Sequence, residues 1–183
     1  MRLHWSPKAG GSNAGDKGTS NDDSIRGAGY DVTLEASSDF TGMEGLSLYG
    51  GYSHVVVAQN ATANDNDATE KTVGVKYAVG GFTLGYQWSK EENGRASTTT
   101  KYVNDGYGVT FQVNDDLSIG YNNYESEQTT STNVSAEASS IQIAYTMGGA
   151  SIRLAEASAD NMTYSTDASK DRDMTTLSVS LAF

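Results

Sequence analysis

The sequence predicts an all-β protein, specifically an antiparallel up-and-down transmembrane β-barrel of about ten strands. Apolar residues alternate with small or polar residues along about ten segments, which is the period of a half-buried strand. The connections alternate between tight turns and longer polar stretches, as expected when consecutive strands pair. No run of roughly 20 apolar residues occurs, so the alternating strands are the candidates for crossing a membrane.

The predicted strands begin at Arg2 to Ser6 and end with the segment TLSVSLAF, in which Leu177, Val179, Leu181 and Phe183 share one face. The predicted tight turns contain Gly80 and Gly81, residues 114–116, Gly148 and Gly149, and a slightly longer stretch at 39–45. The glycine pairs fit the two positive φ angles of a type I′ turn. The predicted long connections are 7–26, 58–70, 92–104, 128–136 and 161–172. A strict alternation of long and short connections would place all tight turns at one end of the barrel.

Composition limits the class of protein. A chain of 183 residues suits one domain, predicted here as 1–183. Its 23 acidic and 12 basic residues give a net charge of −11, which disfavours nucleic acid as a partner. The absence of cysteine excludes a disulfide framework.

Aromatic residues lie on the apolar face of the predicted strands. Tyrosine and tryptophan near strand ends are typical of the aromatic girdles of a membrane barrel. The alternative is a soluble β-sandwich with the same alternation, but its dry core would have to satisfy many phenol hydroxyls. The predicted girdle residues are Tyr52, Tyr77, Tyr86, Trp88, Tyr107, Tyr121 and Tyr145.

The opposite face is small and hydroxylated, which is typical of a water-filled lumen. Lys76 and Arg153 on this face either act on passing anions or form lumenal salt bridges with Glu35 or Asp31. Both interpretations stay open at this point. The predicted pore-lining residues are Lys76, Arg153, Asp31, Glu35, Gln87, Gln112 and Gln142.

Nothing in the sequence indicates catalysis, a metal site or a cofactor. His4 and His54 have no catalytic spacing, and no GxSxG motif occurs. The acidic segments DKGTSNDD, NDND and DASKDRD lack the EF-hand pattern and are interpreted as solvated loops. We therefore expect a protein that is not an enzyme.

The terminal TLSVSLAF resembles the carboxy-terminal strand of bacterial outer-membrane proteins. The stretches YAVGGFTLGYQWS, VNDDLSIGYNNYES, IQIAYTMGGASIRLAEA and RDMTTLSVSLAF are similar to the closing hairpins of Gram-negative general porins. The likeness is greatest to the marine alphaproteobacterial type, in which a segment like WSPKAGGSNAG leads into a long loop.

This resemblance implies a sixteen-stranded trimeric pore in the cell outer membrane, through which small hydrophilic solutes diffuse passively. It also implies contact with outer-membrane lipid and lipopolysaccharide, and recognition of the strand ending at Phe183 by the barrel-assembly machinery. It implies no cofactor.

The chain departs from that pattern because it has about ten strands and lacks a signal peptide. We therefore expect the carboxy-terminal part of a sixteen-stranded barrel that is incomplete at its amino-terminal end. This interpretation predicts unpaired edges at Arg2 to Ser6 and at Met174 to Phe183. The alternative is a small closed outer-membrane barrel with a structural, adhesion or receptor role and no open pore.

Overall fold

A computed structural model of the chain describes residues 1–7, 26–57, 67–94, 101–129 and 133–181. They form one antiparallel sheet of ten strands in which every strand pairs with its neighbours in sequence, which confirms the predicted all-β, up-and-down architecture. The strands are β1 (Arg2–Ser6), β2 (Arg26–Ala36), β3 (Leu46–Val57), β4 (Ala68–Val79), β5 (Phe82–Glu92), β6 (Lys101–Gln112), β7 (Leu117–Thr129), β8 (Asn133–Met147), β9 (Ala150–Asp160) and β10 (Arg172–Leu181).

Helical structure is confined to short connections. The α-helix α1 (Ser38–Thr41) lies between β2 and β3, and two 3-10 turns (Met162–Tyr164 and Ala168–Lys170) lie between β9 and β10. Within the described ranges, no helix has the length and apolar character needed to span a membrane.

The sheet is open. β1 pairs with β2, and β10 pairs with β9, but no pairing joins β1 to β10 among the described residues. The two unpaired edges expected from the sequence are therefore present. That the chain is part of a larger barrel stays a prediction.

Strand pairing keeps the alternating pattern in register across the whole sheet. One continuous row of paired residues runs through Val79, Phe82, Phe111, Ile119, Ile143, Leu154 and Leu177. A slip of one residue anywhere would move a strand's apolar residues to the other face, so the pattern specifies the register. Phe82 and Phe111 also stack, with ring centroids 4.5 Å apart.

The sheet has no dry core within the described residues. Ala68 is the only buried apolar side chain there, whereas Leu84, Ile141 and Val179 are about half exposed. No second sheet covers the apolar face in the described part of the chain. The soluble β-sandwich alternative is therefore not supported.

The connections differ from the sequence prediction in two respects. β7 ends at Thr129 and β8 begins at Asn133, so the long connection predicted at 128–136 is wrong, and long and short connections do not alternate strictly. The ladder continues there through the pairs Gln128–Val134 and Thr129–Asn133, whose mostly polar side chains conceal the apolar alternation. The predicted connection at 7–26 lies mostly outside the described residues.

The two glycine turns are also of a different type than expected. Gly80 and Gly148 each have a φ of 56°, but the second glycine of each pair does not have a positive φ. A positive φ at the first position alone is the requirement of a type II′ turn rather than type I′. Both types match the twist of the flanking strands, so the hairpins form where predicted.

Candidate functional site

The sheet has one apolar face and one polar face, and four grooves among the described residues follow the polar face. These grooves are lined mainly by small, hydroxylated and amide residues, such as Thr83, Gly85, Ser118 and Asn122. Grooves on this side indicate that the polar face is the concave one. Curvature towards a polar interior is the arrangement of a barrel with a solvated lumen.

All seven residues predicted to line a pore lie on the polar face, but they do not form a single cluster. Lys76, Gln142 and Arg153 line one groove of about 440 Å³. Asp31 and Gln87 line a second groove, and Glu35 lines another near β1. The remaining residue, Gln112, directs its amide to the turn carbonyls of Asn114 and Leu117, at 2.6 and 3.3 Å. It therefore closes the turn between β6 and β7.

The structure does not contain the alternative lumenal salt bridges. Asp31 accepts a hydrogen bond from, or pairs with, Nδ1 of His4 at 3.2 Å. Neither Lys76 nor Arg153 forms an ion pair among the described residues. Their charges are therefore not neutralised by Asp31 or Glu35.

Tyr49 is a polar-face residue that the sequence reasoning did not select. It pairs with Gly74 on β4, and its ring occupies the space that a Cβ of Gly74 would need. Its hydroxyl donates a hydrogen bond to Oε1 of Gln87 on β5 at 2.6 Å. One signal was available in the sequence, namely a tyrosine on a face that otherwise carries small residues.

The connection between β9 and β10 folds over the polar face. The hydroxyls of Tyr164 and Ser126 of β7 lie 2.8 Å apart, and the Tyr164 ring lies 5.4 Å from that of Tyr102 on β6. Ser126 is buried and also donates to Oδ1 of Asn104 at 2.6 Å. Because Tyr164 follows β9, it must cross β8 to reach these partners. The sequence predicted a loop here but not its inward course.

This inward course depends on an unusual backbone. Asn161, Thr163 and Tyr164 have φ angles of 54°, 62° and 56°, in the left-handed region that residues other than glycine rarely adopt. Asn161 is held by two hydrogen bonds of 3.0 Å, one from its side chain to the carbonyl of Ser135 and one from its backbone N–H to Asp171. These contacts stabilise a conformation that is otherwise unfavourable.

The pairing places all seven predicted girdle residues on the apolar face. Tyr86 pairs with Tyr107, and Tyr107 lies 6.3 Å from Tyr121 between ring centroids. The hydroxyl of Tyr86 donates to the carboxylate of Asp105, so its ring lies among apolar residues while its polar end reaches a charged one. The other predicted members are Tyr52, Tyr77, Trp88 and Tyr145. Their role at a membrane interface stays a prediction.

The apolar face has a defined boundary on the side of the longer connections. On each strand from β3 to β10, the run of apolar residues that starts near the tight turns ends at a residue that is followed, two positions on, by a polar one. For example, Trp88 is followed by Lys90, Tyr107 by Asp105 and Leu154 by Glu156. These runs end at Tyr52, Val73, Trp88, Tyr107, Tyr121, Ile141, Leu154 and Leu177, and Val56 on β3 and Val103 on β6 are single apolar residues beyond the boundary on the same face.

This boundary is oblique to the strands. Followed from strand to strand through the pairing, Tyr52 on β3 is in register with Lys90 on β5. Leu177 on β10 is in register with Phe82 on β5, which is eight residues from Lys90. The boundary therefore moves about 1.1 residues per strand. At roughly 3.3 Å per residue and 4.8 Å between strands, the strands are tilted by about 38° from the normal to the boundary.

Some predicted features fall outside the described residues. Phe183, the segment DKGTSNDD and most of NDND lie there. In the DASKDRD segment, which is described, the carboxylate of Asp167 accepts a hydrogen bond from the backbone N–H of Ser169 at 2.9 Å. No group of three acidic or histidine side chains in the described ranges could hold a metal ion.

Comparison with known proteins identifies the fold but not the family. No protein-family model matches the chain, and no curated protein sequence matches it. Among solved structures, the chain is similar to one described as the outer-membrane expressed OmpT of Vibrio cholerae, with a TM-score of 0.50 and 14% sequence identity. The match covers 85% of this chain and 60% of that one. The chain thus shares its fold with an outer-membrane protein and spans about 60% of its length.

Proposed function

We propose that the chain forms part of the wall of an outer-membrane porin, a water-filled channel through which small hydrophilic solutes diffuse passively. One observation carries the proposal. In the described part of the chain, the sheet has no dry core and presents an exposed apolar face on one side and a concave polar face on the other. Lipid against the first face and water against the second would satisfy both.

The oblique boundary supports a membrane location. Strands of outer-membrane barrels are tilted by about 35–45°, and the tilt of about 38° obtained from the strand register falls in that range. Aromatic residues at the boundary, including Tyr52, Trp88 and Tyr107, would lie at the level of the lipid headgroups. The charged residues beyond it would lie in water or among the headgroups.

The open edges favour a larger barrel. Inside lipid, every backbone amide must be paired within the protein, so the unpaired edges of β1 and β10 could not face the membrane. The similar solved structure extends well beyond the part that this chain matches. We therefore assign the missing pairing to additional strands of a larger barrel. From the resemblance in sequence, we further propose that this barrel has sixteen strands, assembles as a homotrimer and contacts lipopolysaccharide.

The second candidate is a small closed outer-membrane barrel without an open pore, with a structural, adhesion or receptor role. The inward course of residues 161–171 favours it, because Tyr164 and its contacts with Ser126 and Tyr102 cover part of the polar face. Neither candidate assigns a catalytic residue, a metal or a cofactor.

The test is to extract the protein from outer membranes of the source cells and determine its intact mass and amino-terminal sequence. A mass well above 19.4 kDa, with residues upstream of Met1, is expected for the larger barrel. The purified protein is then added to a planar lipid bilayer, where a porin gives stepwise, long-lived conductance. Insertion without conductance would favour the barrel with no pore. A protein that needs neither detergent nor lipid would contradict both candidates.

A further inference from the structure

One row of paired residues on the polar face has a symmetrical pattern across five neighbouring strands. Tyr49 on β3 pairs with Gly74 on β4, which pairs with Gln87 on β5. Gln87 also pairs with Gly106 on β6, and Gly106 pairs with Tyr124 on β7. The row therefore has a tyrosine at each end, a glycine beside each tyrosine, and a glutamine between the two glycines.

The two tyrosine rings lean towards each other over these glycines. A Cβ on Gly74 would overlap the Tyr49 ring, and a Cβ on Gly106 would lie 3.3 Å from Cδ2 of Tyr124. The Tyr49 hydroxyl extends further and donates a hydrogen bond to Oε1 of Gln87 at 2.6 Å. Because Gln87 and Gly106 are paired, the two aromatic side chains converge over two adjacent strands, β5 and β6.

The converging side chains line one groove of about 420 Å³ together with Gln87. Gly85 on β5 and Gly108 on β6 also line it, and because they carry no side chain the floor of the groove stays open. The volume lies within the range of small-molecule sites, about 300–1,000 Å³. Tyr49 and Tyr124 are 37% and 44% exposed, so both rings keep surface that a solute can contact.

Uncharged amides supply the hydrogen-bonding groups of this groove. Gln87, Asn104 and Asn122 line it, whereas no carboxylate does, and Lys76 is the single charged side chain among its lining residues. Each amide offers both donors and an acceptor. Oε1 of Gln87 is engaged by Tyr49, and its Nε2 donor has no hydrogen-bond partner among the described residues. That donor is therefore available to a solute.

The two rings lie at different heights in the wall. On β7, Tyr124 lies three residues beyond Tyr121, at which the apolar run of that strand ends. On β3, Tyr49 lies three residues before Tyr52, within the apolar run. A solute that enters from the side of the longer connections would therefore meet Tyr124 before Tyr49, so the groove follows the direction of passage.

Aromatic rings combined with uncharged amides match the chemistry of a neutral sugar. A pyranose ring presents C–H groups on its two faces, which pack against aromatic rings, and hydroxyls around its edge. Each hydroxyl both donates and accepts, as the amide side chains do, so the two can satisfy each other without a charge. Tyrosine has an apolar body and a polar tip, and it suits the same mixed surface.

We propose that the groove between Tyr49 and Tyr124 is a binding subsite for one pyranose unit of a neutral sugar. The two rings pack against the C–H groups of the sugar, and Gln87, Asn104 and Asn122 bond its hydroxyls. This inference rests on the proposed channel function, because a solute reaches the groove from a water-filled lumen. It names a class of solute that the wall retains during passage.

The experiment uses the full protein from outer membranes in a planar bilayer, with glucose as the probe. Glucose is expected to reduce the single-channel current in a saturable manner. Mannitol is the matched solute, because it is a polyol of similar size without a ring, and it should reduce the current only in proportion to its concentration. Equal effects of glucose and mannitol would overturn the subsite and leave the channel function intact.

Variants assign the glucose effect to the rings. Tyr49→Leu and Tyr124→Leu should each raise the glucose concentration for half-reduction about fivefold, because each removes a ring face but keeps an apolar side chain. Tyr124→Phe keeps the ring and should retain most of the effect. The matched control is Tyr30→Leu, which removes a tyrosine from the apolar face and should respond to glucose as the natural sequence does.

Folding of each variant is checked by its heat-dependent migration in gel electrophoresis. A purely structural role of the rings would lower the stability of Tyr49→Leu and Tyr124→Leu without changing how the folded channels respond to glucose. A half-reduction concentration that is the same in both leucine variants as in the natural sequence therefore overturns the subsite.

A binding measurement separates the two proposals if the protein does not conduct. Saturation-transfer difference NMR of glucose is recorded with the detergent-solubilised protein, and mannitol is the reference solute. Transfer to the C–H protons of glucose that is lost in the double variant Tyr49→Leu/Tyr124→Leu but kept in Tyr30→Leu supports the subsite even though the channel function has failed. Absence of transfer with the natural sequence overturns the subsite.

Discussion

The ring of Tyr49 covers Gly74, and its hydroxyl reaches across that strand to Gln87, so that one side chain joins β3, β4 and β5 on the polar face. Gly74 leaves the space that the ring fills, and the ring in turn covers the backbone that the glycine exposes. Such tyrosine–glycine pairing stabilises a sheet where a glycine alone would weaken it.

Replacing Gly74 with alanine should reduce the free energy of unfolding by about 1–3 kcal/mol, because the new Cβ overlaps the Tyr49 ring and displaces it. The measurement is equilibrium unfolding in denaturant from detergent micelles. In a Tyr49→Ala background the same substitution should be neutral or stabilising, because alanine is then the better strand residue. An equal loss in both backgrounds would show that the two residues are not coupled.

Leu84 offers a test of the lipid-facing side. It lies in the middle of the apolar band, between Tyr77 and Val109. Leu84→Arg should cost about 2–4 kcal/mol of stability in a lipid bilayer, as expected for a cation near the midplane. The neighbouring change Thr83→Arg, on the polar face, should be tolerated. Folding yield into phospholipid vesicles measures both, and equal yields would argue against lipid contact.

The contacts of Tyr164 are predicted to hold the connection between β9 and β10 in place over the polar face. Tyr164→Phe removes a hydrogen bond to buried Ser126 and should cost about 1 kcal/mol of local stability. Tyr164→Ala also removes the ring contact with Tyr102, and it should raise single-channel conductance if the connection narrows the lumen. Faster hydrogen exchange of residues 161–171 is the second readout. Unchanged exchange in Tyr164→Ala would assign the conformation to Asn161 and Asp171 instead.

The stability of the turn at residues 167–170 should decrease at acid pH. The backbone N–H of Ser169, with a further contribution from its side chain, lowers the pKa of Asp167 from its ordinary value of 3.8. Because the folded pKa is lowered, the hydrogen bond contributes stability above about pH 3.8, and this contribution is lost as pH falls through the lowered pKa. The Ser169 amide resonance should follow that titration in NMR. Asp167→Asn should abolish the pH dependence, and a titration that persists there would point to another group.

The sequence predicted the faces of the strands well, because a period of two residues with only one apolar face leaves few alternative registers. It predicted β1 with its observed bounds for the same reason. It did not predict how far β7 and β8 extend, because Thr129, Asn133 and Ser135 carry polar side chains on the otherwise apolar face, where the alternation no longer distinguishes strand from loop.

The candidate site was predicted only in part. Lys76 and Arg153 were placed on the correct face by parity, but their common groove depends on curvature across β4 to β9, which no local pattern encodes. The pairing of Tyr49 with Gly74 depends on cross-strand register. The left-handed backbone of Thr163 and Tyr164 depends on tertiary contacts, since neither residue type favours it.

The oblique boundary has a consequence for how such a wall could grow. It moves about one residue per strand, and hence about two residues per hairpin. Two residues are one full period of a strand, so a duplicated hairpin inserted beside its parent would present its apolar residues on the same side and at the same height. A single added strand would reverse the chain direction at the next connection. The hairpin is therefore the smallest unit by which this wall can be lengthened or shortened while keeping its faces.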